Sequence, residues 1–217
     1  MYEIKFETFA IGGSLYTIRS LLDRQQFHDP EGAAEETGIS SATWSLFGNI
    51  WPSGLILADI MSTYDVSGIN ILEVGCGLGI ASLITNERGA RHTASDYHPL
   101  AEEFIQENNR LNELPPMHFE CCDWAETMPA IGTFDLIIGS DLLYEPDHPA
   151  LLSKFIDLHS SRSVKVIIID PGRRQQGQFT QRMELLGFAA SFERPTEEQS
   201  QCRNFSGKIL QYSRERQ

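Results

Sequence analysis

Three glycines hold alternate positions in the run Glu73-Val74-Gly75-Cys76-Gly77-Leu78-Gly79, with an acidic residue two places before the first. Glycines at this spacing permit a tight turn and let a ligand lie against bare backbone. The run follows the apolar stretch Ile71 to Val74 and precedes the apolar-periodic stretch Ile80 to Arg88. Strand, loop and helix therefore come in order, and the helix start adds partial positive charge. A dinucleotide site asks for G-x-G-x-x-G, with its third glycine where this chain has Ile80. Here that glycine comes one residue early, at Gly79. Asp96 lies 17 residues past Gly79, where one further strand brings a carboxylate to both hydroxyls of a ribose. The plainer reading of Asp96 is a helix cap ahead of Pro99. Asp123-Trp124 offers a carboxylate for an adenine amino group and an indole face for stacking. Alone, that pair reads as a surface turn with a half-buried tryptophan.

These residues need a frame. The first 19 residues predict a hairpin: Tyr2, Ile4 and Phe6 alternate with polar residues, Gly12-Gly13 turns, and Leu15, Tyr16 and Ile18 return. Residues 23–41 are polar, with Pro30, Gly32 and Gly38, and predict a loop or lid. Ser53 to Tyr64 predicts a helix. Strands and helices then alternate: strand 71–74, helix 80–88, strand 92–95, helix 99–111 with Pro99 in its first turn, strand 117–121 and strand 134–139. Asp147 should cap a helix running to about His159. Val164 to Ile169 is the most hydrophobic strand and is expected to be central. Phe179, Met183 and Leu186 mark a last helix closed by Gly187, and strands 188–192 and 208–212 end the pattern. Such alternation predicts an α/β, Rossmann-like fold: a mostly parallel seven-stranded sheet with helices on both faces, and ligands at the carboxyl ends of the strands. Residues 1–50 read as an N-terminal hairpin and lid extension, and residues 51–217 as the binding domain.

Composition narrows the function. The 217 residues carry 17 Lys+Arg against 30 Asp+Glu, a formal net charge of −13. Phosphate neutralisation needs clustered basic residues. Only Arg173-Arg174 and the terminal Arg214-Glu215-Arg216 approach that, so no nucleic-acid partner is expected. Apolar runs such as Val166 to Ile169 are far too short to span a bilayer. The N-terminus lacks the cationic start and apolar core of a secretory signal. Cys76, Cys121, Cys122 and Cys202 include no C-x-x-C pair and read as free thiols in a reducing compartment, the cytoplasm. Six scattered histidines give no metal-ligand spacing, so no metal is expected.

The spacing G-x-G-x-G with the preceding Glu73 resembles the class I methyltransferases, which bind S-adenosylmethionine. That ligand has no pyrophosphate, and its sulfonium suits an acidic pocket. More closely, the chain resembles the seven-β-strand, family 16 methyltransferases, which include protein-lysine and electron-transfer-flavoprotein lysine methyltransferases. Trp51-Pro52-Ser53-Gly54 before a helix is similar to that family's tryptophan-containing segment. Glu73 to Gly79 is similar to its cofactor loop, Asp123-Trp124 to its acid–tryptophan pair, and Asp141-Leu142-Leu143-Tyr144 to its D-x-x-Y signature. Asp170-Pro171-Gly172-Arg173 is similar to the flavoprotein-directed branch.

The resemblance implies S-adenosylmethionine as cofactor and S-adenosylhomocysteine as product, held by Trp51, Glu73, Gly75, Gly77, Gly79, Asp96, Asp123 and Trp124. It implies Asp141 and Tyr144 as the catalytic pair and a lysine of a protein as acceptor; the acidic charge balance is compatible with a basic protein partner, its plainer reading being solubility. Asp141 would bind the ammonium and Tyr144 would aim it by hydrogen bond or ring face. The plainer readings are a turn residue and a packed aromatic. Trp44 reads as core more readily than as cofactor wall. His98, Glu145 and His148 form no acid–base spacing, and Arg173 either contacts substrate or is solvated. The rivals are a small-molecule amine methyltransferase on the same fold and a cofactor-binding adaptor without catalysis.

Overall fold

A computed structural model describes residues 2–126, 129–199 and 204–216. Cys202 lies outside them. The chain opens with β1 (Ile4–Ile11) and β2 (Ser14–Leu21), followed by the short α1 (Ala33–Glu36), a 3-10 turn at Trp44–Gly48 and α2 (Pro52–Thr63). There follow β3 (Asn70–Val74), α3 (Ile80–Glu87), β4 (Arg91–Asp96), α4 (Ala101–Leu111), β5 (His118–Cys121) and β6 (Phe134–Ser140). The chain closes with α5 (His148–Leu158), β7 (Ser160–Asp170), α6 (Gln176–Leu185), β8 (Ala189–Glu193) and β9 (Lys208–Glu215).

The seven-stranded sheet has the order β5-β4-β3-β6-β7-β9-β8. Its first five strands run parallel, and β9 inserts antiparallel between β7 and β8. Side chains alternate across the sheet with period two. Ile71, Leu136, Ile138, Ile167 and Ile169 join α2, α3 and the hairpin in one core. Leu72, Val74, Ile137, Val166 and Ile168 join α5 and α6 on the other face. The predicted α/β sheet with helices on both faces is thus the fold found. Sheet order reverses between β3 and β6, so the crevice for a ligand opens at the ends of β3, β4 and β6.

The hairpin pairs in full register, Ile4 with Leu21 through Ile11 with Ser14. Its β2 edge is closed by α4. Asn108 and Asn112 accept from the N–H groups of Arg19 and Thr17 at 2.7 and 2.8 Å and donate back to the same residues' carbonyls. Two side-chain amides thus stand in for a third strand.

Several local expectations need correction. Pro99 lies before α4, whose N-cap is Leu100, so it sets the approach rather than the first turn. Asp147 holds the N-cap position of α5, but its side chain makes no cap bond. β7 is flanked on both sides yet stands one place from the middle, which β6 occupies. It also begins four residues earlier than its apolar run, because Ser160 pairs with Phe134 and Ser163 with Glu215. Among the described residues, the link from β5 to β6 holds a 3-10 turn (Pro129–Ile131), an element the pattern of strands did not include. Residues 23–41 contain α1, whose second and third N–H groups, those of Ala34 and Glu35, donate to the Asp29 carboxylate at 2.9–3.1 Å.

Candidate active site

A cavity of about 840 Å³ opens at the carboxyl ends of β3, β4 and β6. Trp51, Glu73, Gly75, Gly77, Asp96, Asp123, Trp124, Asp141 and Tyr144 all line it. Gly79 does not. It stands behind the wall as the N-cap of α3, where a side chain would meet Ile105 at 2.8 Å.

The glycine loop leaves β3 with Gly75, Gly77 and Gly79 all at positive φ. A Cβ on Gly77 would lie 2.7 Å from the Phe47 carbonyl oxygen, and one on Gly75 would lie 2.5 Å from Leu142. The loop is therefore pressed between the 3-10 turn and the segment after β6. Asp96 fixes it: one carboxylate oxygen accepts from Gly77 N–H at 2.7 Å, the other from His98 N–H at 2.8 Å. Burial raises the Asp96 carboxyl above its ordinary range, opposed by the backbone N–H groups of His98, Gly77 and Tyr97. Asp96 thus organises the loop as well as facing the cavity, a task its spacing did not announce.

Glu73 is 3% exposed. It accepts a short hydrogen bond from the Ser82 hydroxyl, which also meets His92 Nε2 at 2.6 Å, and His92 Nδ1 meets the Thr85 hydroxyl at 2.9 Å. Burial pushes Glu73 up to about 7 and His92 down to about 3. This polar chain anchors the loop to α3 from beneath.

After β5, Asp123 accepts from Ala125 N–H at 2.7 Å, a turn, while Trp124 presents its ring beside Gly75. His148 stands between two aromatic walls, 5.4 Å from Trp124 and 4.6 Å from Tyr144, both edge-on. Trp51 donates to the Leu46 carbonyl at 3.0 Å, with Arg24 over its ring. Trp44 is core, buried among Tyr2, Phe27, Phe47 and His98.

At the far end, Asp141 is nearly buried and carries φ 57°, an uncommon left-handed conformation for a side-chain-bearing residue. Its N–H donates to the Ile169 carbonyl at 2.9 Å, tying the ends of β6 and β7. Its carboxylate accepts from Arg173 Nε at 2.6 Å. Tyr144 is 42% exposed at the mouth. Desolvation, then the carboxylates of Asp96, Glu145 and Asp141, push its hydroxyl up to about 12.

For three contributors the sequence reading gave no partner: it weighed His98 and Arg173 without fixing a contact for either, and it named no cavity wall in residues 38–47. Residues 38–47 supply a wall through Gly38, Ile39, Thr43 and Phe47. His98 stacks on Phe47 at 3.7 Å between ring centroids, and burial pulls it down to about 4. Arg173 pairs with Asp141 across 32 residues of sequence. Only the Asp170-Pro171-Gly172-Arg173 run hinted at the last.

Solved structures share this fold. The chain superposes on the Thermus thermophilus 16S rRNA N2 G1207 methyltransferase with TM-score 0.65 at 14% identity, covering 100% of this chain and 52% of that one. It superposes on the ribosomal protein L11 methylase of Lactobacillus delbrueckii with TM-score 0.58 at 18% identity, covering 76% and 79%. Among curated relatives, protein N-lysine methyltransferase METTL21A of Xenopus tropicalis is 25% identical over 183 residues, 78% of this chain and 85% of the relative. The electron transfer flavoprotein beta subunit lysine methyltransferase of Xenopus laevis is 31% identical over 138 residues, 61% of this chain and 53% of the relative. The chain therefore spans about half the length of that flavoprotein-directed relative. A family model described as lysine methyltransferase matches residues 35–185, from the cavity wall before α2 to the end of α6, and the chain belongs to that family.

Proposed function

We propose that this chain moves a methyl group from S-adenosylmethionine to the side-chain nitrogen of a lysine in a protein. The observation that carries the reading is one cavity with a bare-backbone glycine loop at one end and Asp141 with the half-exposed Tyr144 at the other. Its lining suits the cofactor. Glu73, Asp96, Asp123, Asp141, Glu145 and Asp147 all face it, and among the described lining residues Arg173 is the only lysine or arginine. An acidic wall favours a sulfonium and does not favour a pyrophosphate. Gly75 and Gly77 would take the cofactor's amino-acid portion against backbone, Asp96 its ribose, and Asp123 with Trp124 its adenine.

The cofactor supplies a methyl group on a positively charged sulfur. The protein's share is alignment, since in-line displacement between held partners needs little else. Tyr144 borders the path of the incoming side chain, and Asp141 accepts a hydrogen bond from its nitrogen. The lysine ammonium first releases one proton to solvent. Its freed lone pair would take the methyl group that the cofactor supplies, the C–S electron pair would leave with sulfur, and the methylated nitrogen would carry the positive charge.

A protein acceptor is supported by the openness of the mouth at Tyr144. In our reading, residues 1–50 form a substrate-facing extension of the catalytic unit 51–217, and they already supply one cavity wall. The net charge of −13 suits a basic partner. The three described cysteines, Cys76, Cys121 and Cys122, are unpaired, which suits the reducing cytoplasm. No described helix is long and apolar enough to cross a membrane. Incubation of a cell lysate with enzyme and radiolabelled methyl donor tests the reading. Label should enter protein and be recovered as methyl-lysine. Label found only in small molecules would replace it with the amine-methyltransferase reading, and cofactor binding without any labelling with the adaptor reading.

A further inference from the structure

We propose that Arg173 is a positioning residue that holds Asp141 as half of a closed ion pair, so that the acceptor site receives the lysine as a neutral amine rather than as an ammonium. The inference rests on the lysine-methylation reading and deepens it.

The expectation for a lone Asp141 is an ammonium trap. A bare carboxylate beside a lysine favours the charged form and delays the proton loss that must precede transfer. The geometry is different. Arg173 Nε donates to Asp141 Oδ1 at 2.6 Å, and only 8% of the Asp141 side chain is exposed. The guanidinium is always charged and its planar fork is well suited to a carboxylate. The pair is built, and both partners are fixed by backbone. Asp141 is held through its N–H on Ile169 and its left-handed conformation. Arg173 is held by Asp170, whose Oδ1 accepts from the N–H groups of both Gly172 and Arg173 at 2.8 Å. Asp170 is itself fully buried at the end of β7. The strand ends of β6 and β7 thus present a closed pair, able to accept a hydrogen bond but carrying little net charge.

The remaining charges leave room for this effect. Asp170 acts on the pair from β7 and Tyr144 from the segment after β6; Asp96 and Glu145 act in turn on Tyr144, and Asp147 and His148 line the same cavity from the start of α5. The surroundings are acidic, so Arg173 is the one described cation at the acceptor end that offsets them. Removing it would turn the site back into an ammonium trap.

The test compares wild type with Arg173→Gln and Arg173→Lys. The acceptor is the lysate protein that wild-type enzyme labels, purified. Titration with S-adenosylhomocysteine first checks that each variant binds as wild type does. Profiles of kcat against pH then report the groups that titrate in the enzyme–substrate complex. For Arg173→Gln the rising limb should move to higher pH by about one unit or more, the size expected when a neighbouring opposite charge is unmasked. KM at neutral pH should stay level or fall, because ammonium binds well but reacts poorly. Arg173→Lys should restore part of the shift. A uniform loss of kcat at every pH, or an unchanged profile, overturns the inference and leaves lysine methylation standing. If wild type labels no protein, the underlying reading has failed instead.

Discussion

At the glycine-loop end of the cavity the ligand would meet backbone; at the Asp141 end it would meet side chains. The first end is packed from behind. Phe47 presses on Gly77, Leu142 on Gly75 and Ile105 on Gly79, and Asp96 and Glu73 are each held by hydrogen bonds from within the protein. The second end opens to solvent at Tyr144, and its charges are matched in a pair. The contrast separates tolerance from specificity. A backbone surface cannot be altered by one side chain without breaking the loop, so it suits a ligand that never changes. A side-chain surface can be re-cut residue by residue, as an acceptor site must be when relatives serve different proteins.

The largest expected effect breaks the packed end. Gly77→Ala meets both a φ of 53° and the Phe47 carbonyl at 2.7 Å. The left-handed conformation and the overpacking together cost about 3 kcal/mol, or a hundredfold or more in affinity. Titration calorimetry with S-adenosylhomocysteine should show that loss, and methyl transfer should fall with it. Binding within threefold of wild type would mean that the loop can yield, and the contrast between the two ends would collapse.

At the open end the prediction is a split. Asp141→Asn keeps the size and tolerates the φ of 57°, since Asn adopts that region more readily than most residues. It removes the charge and the partner of Arg173. Transfer should drop about a hundredfold, about 2.7 kcal/mol of transition-state stabilisation, while cofactor affinity stays level. Equal losses in kcat and in product binding would show that Asp141 supports the loop through Leu142 rather than the acceptor.

This split also explains what the sequence could and could not say. The glycine loop was legible because it is local: an apolar strand, three spaced glycines and an amphipathic helix within 20 residues. The hairpin was legible for the same reason, from alternation and Gly12-Gly13. The Arg173–Asp141 pair was not, because it exists only once β7 lies beside β6 in the observed register. The wall from residues 38–47 was equally hidden. Polar residues around Gly38 read as loop, and nothing local says that Phe47 will stack on His98. Where β7 begins also escaped, since Ser160 to Ser163 carry no apolar pattern and are recruited by their partners Phe134 and Glu215.

The smallest expected effect concerns the buried chain beneath the glycine loop, where Glu73 and His92 share Ser82. Glu73 in the folded protein lies near 7, above its ordinary 4.5. Its contribution to stability is therefore full below about 4.5 and lost as pH rises through 7. His92 lies near 3, below its ordinary 6.5. Its contribution is full above 6.5 and lost as pH falls toward 3. Between roughly 4.5 and 6.5 the two slopes have opposite signs and offset each other. His92→Gln keeps an amide within reach of Ser82 and Thr85 but cannot titrate. It leaves the Glu73 slope uncovered, so the variant should gain on wild type by about 1–2 kcal/mol as pH falls from 6.5 to 5. Urea midpoints measured across that range for both proteins give the difference directly, because every other titrating group is common to the two. Parallel curves would mean that His92 is not held neutral beneath the loop. The packed end would then admit water from below, and its contrast with the acceptor end would be one of shape alone.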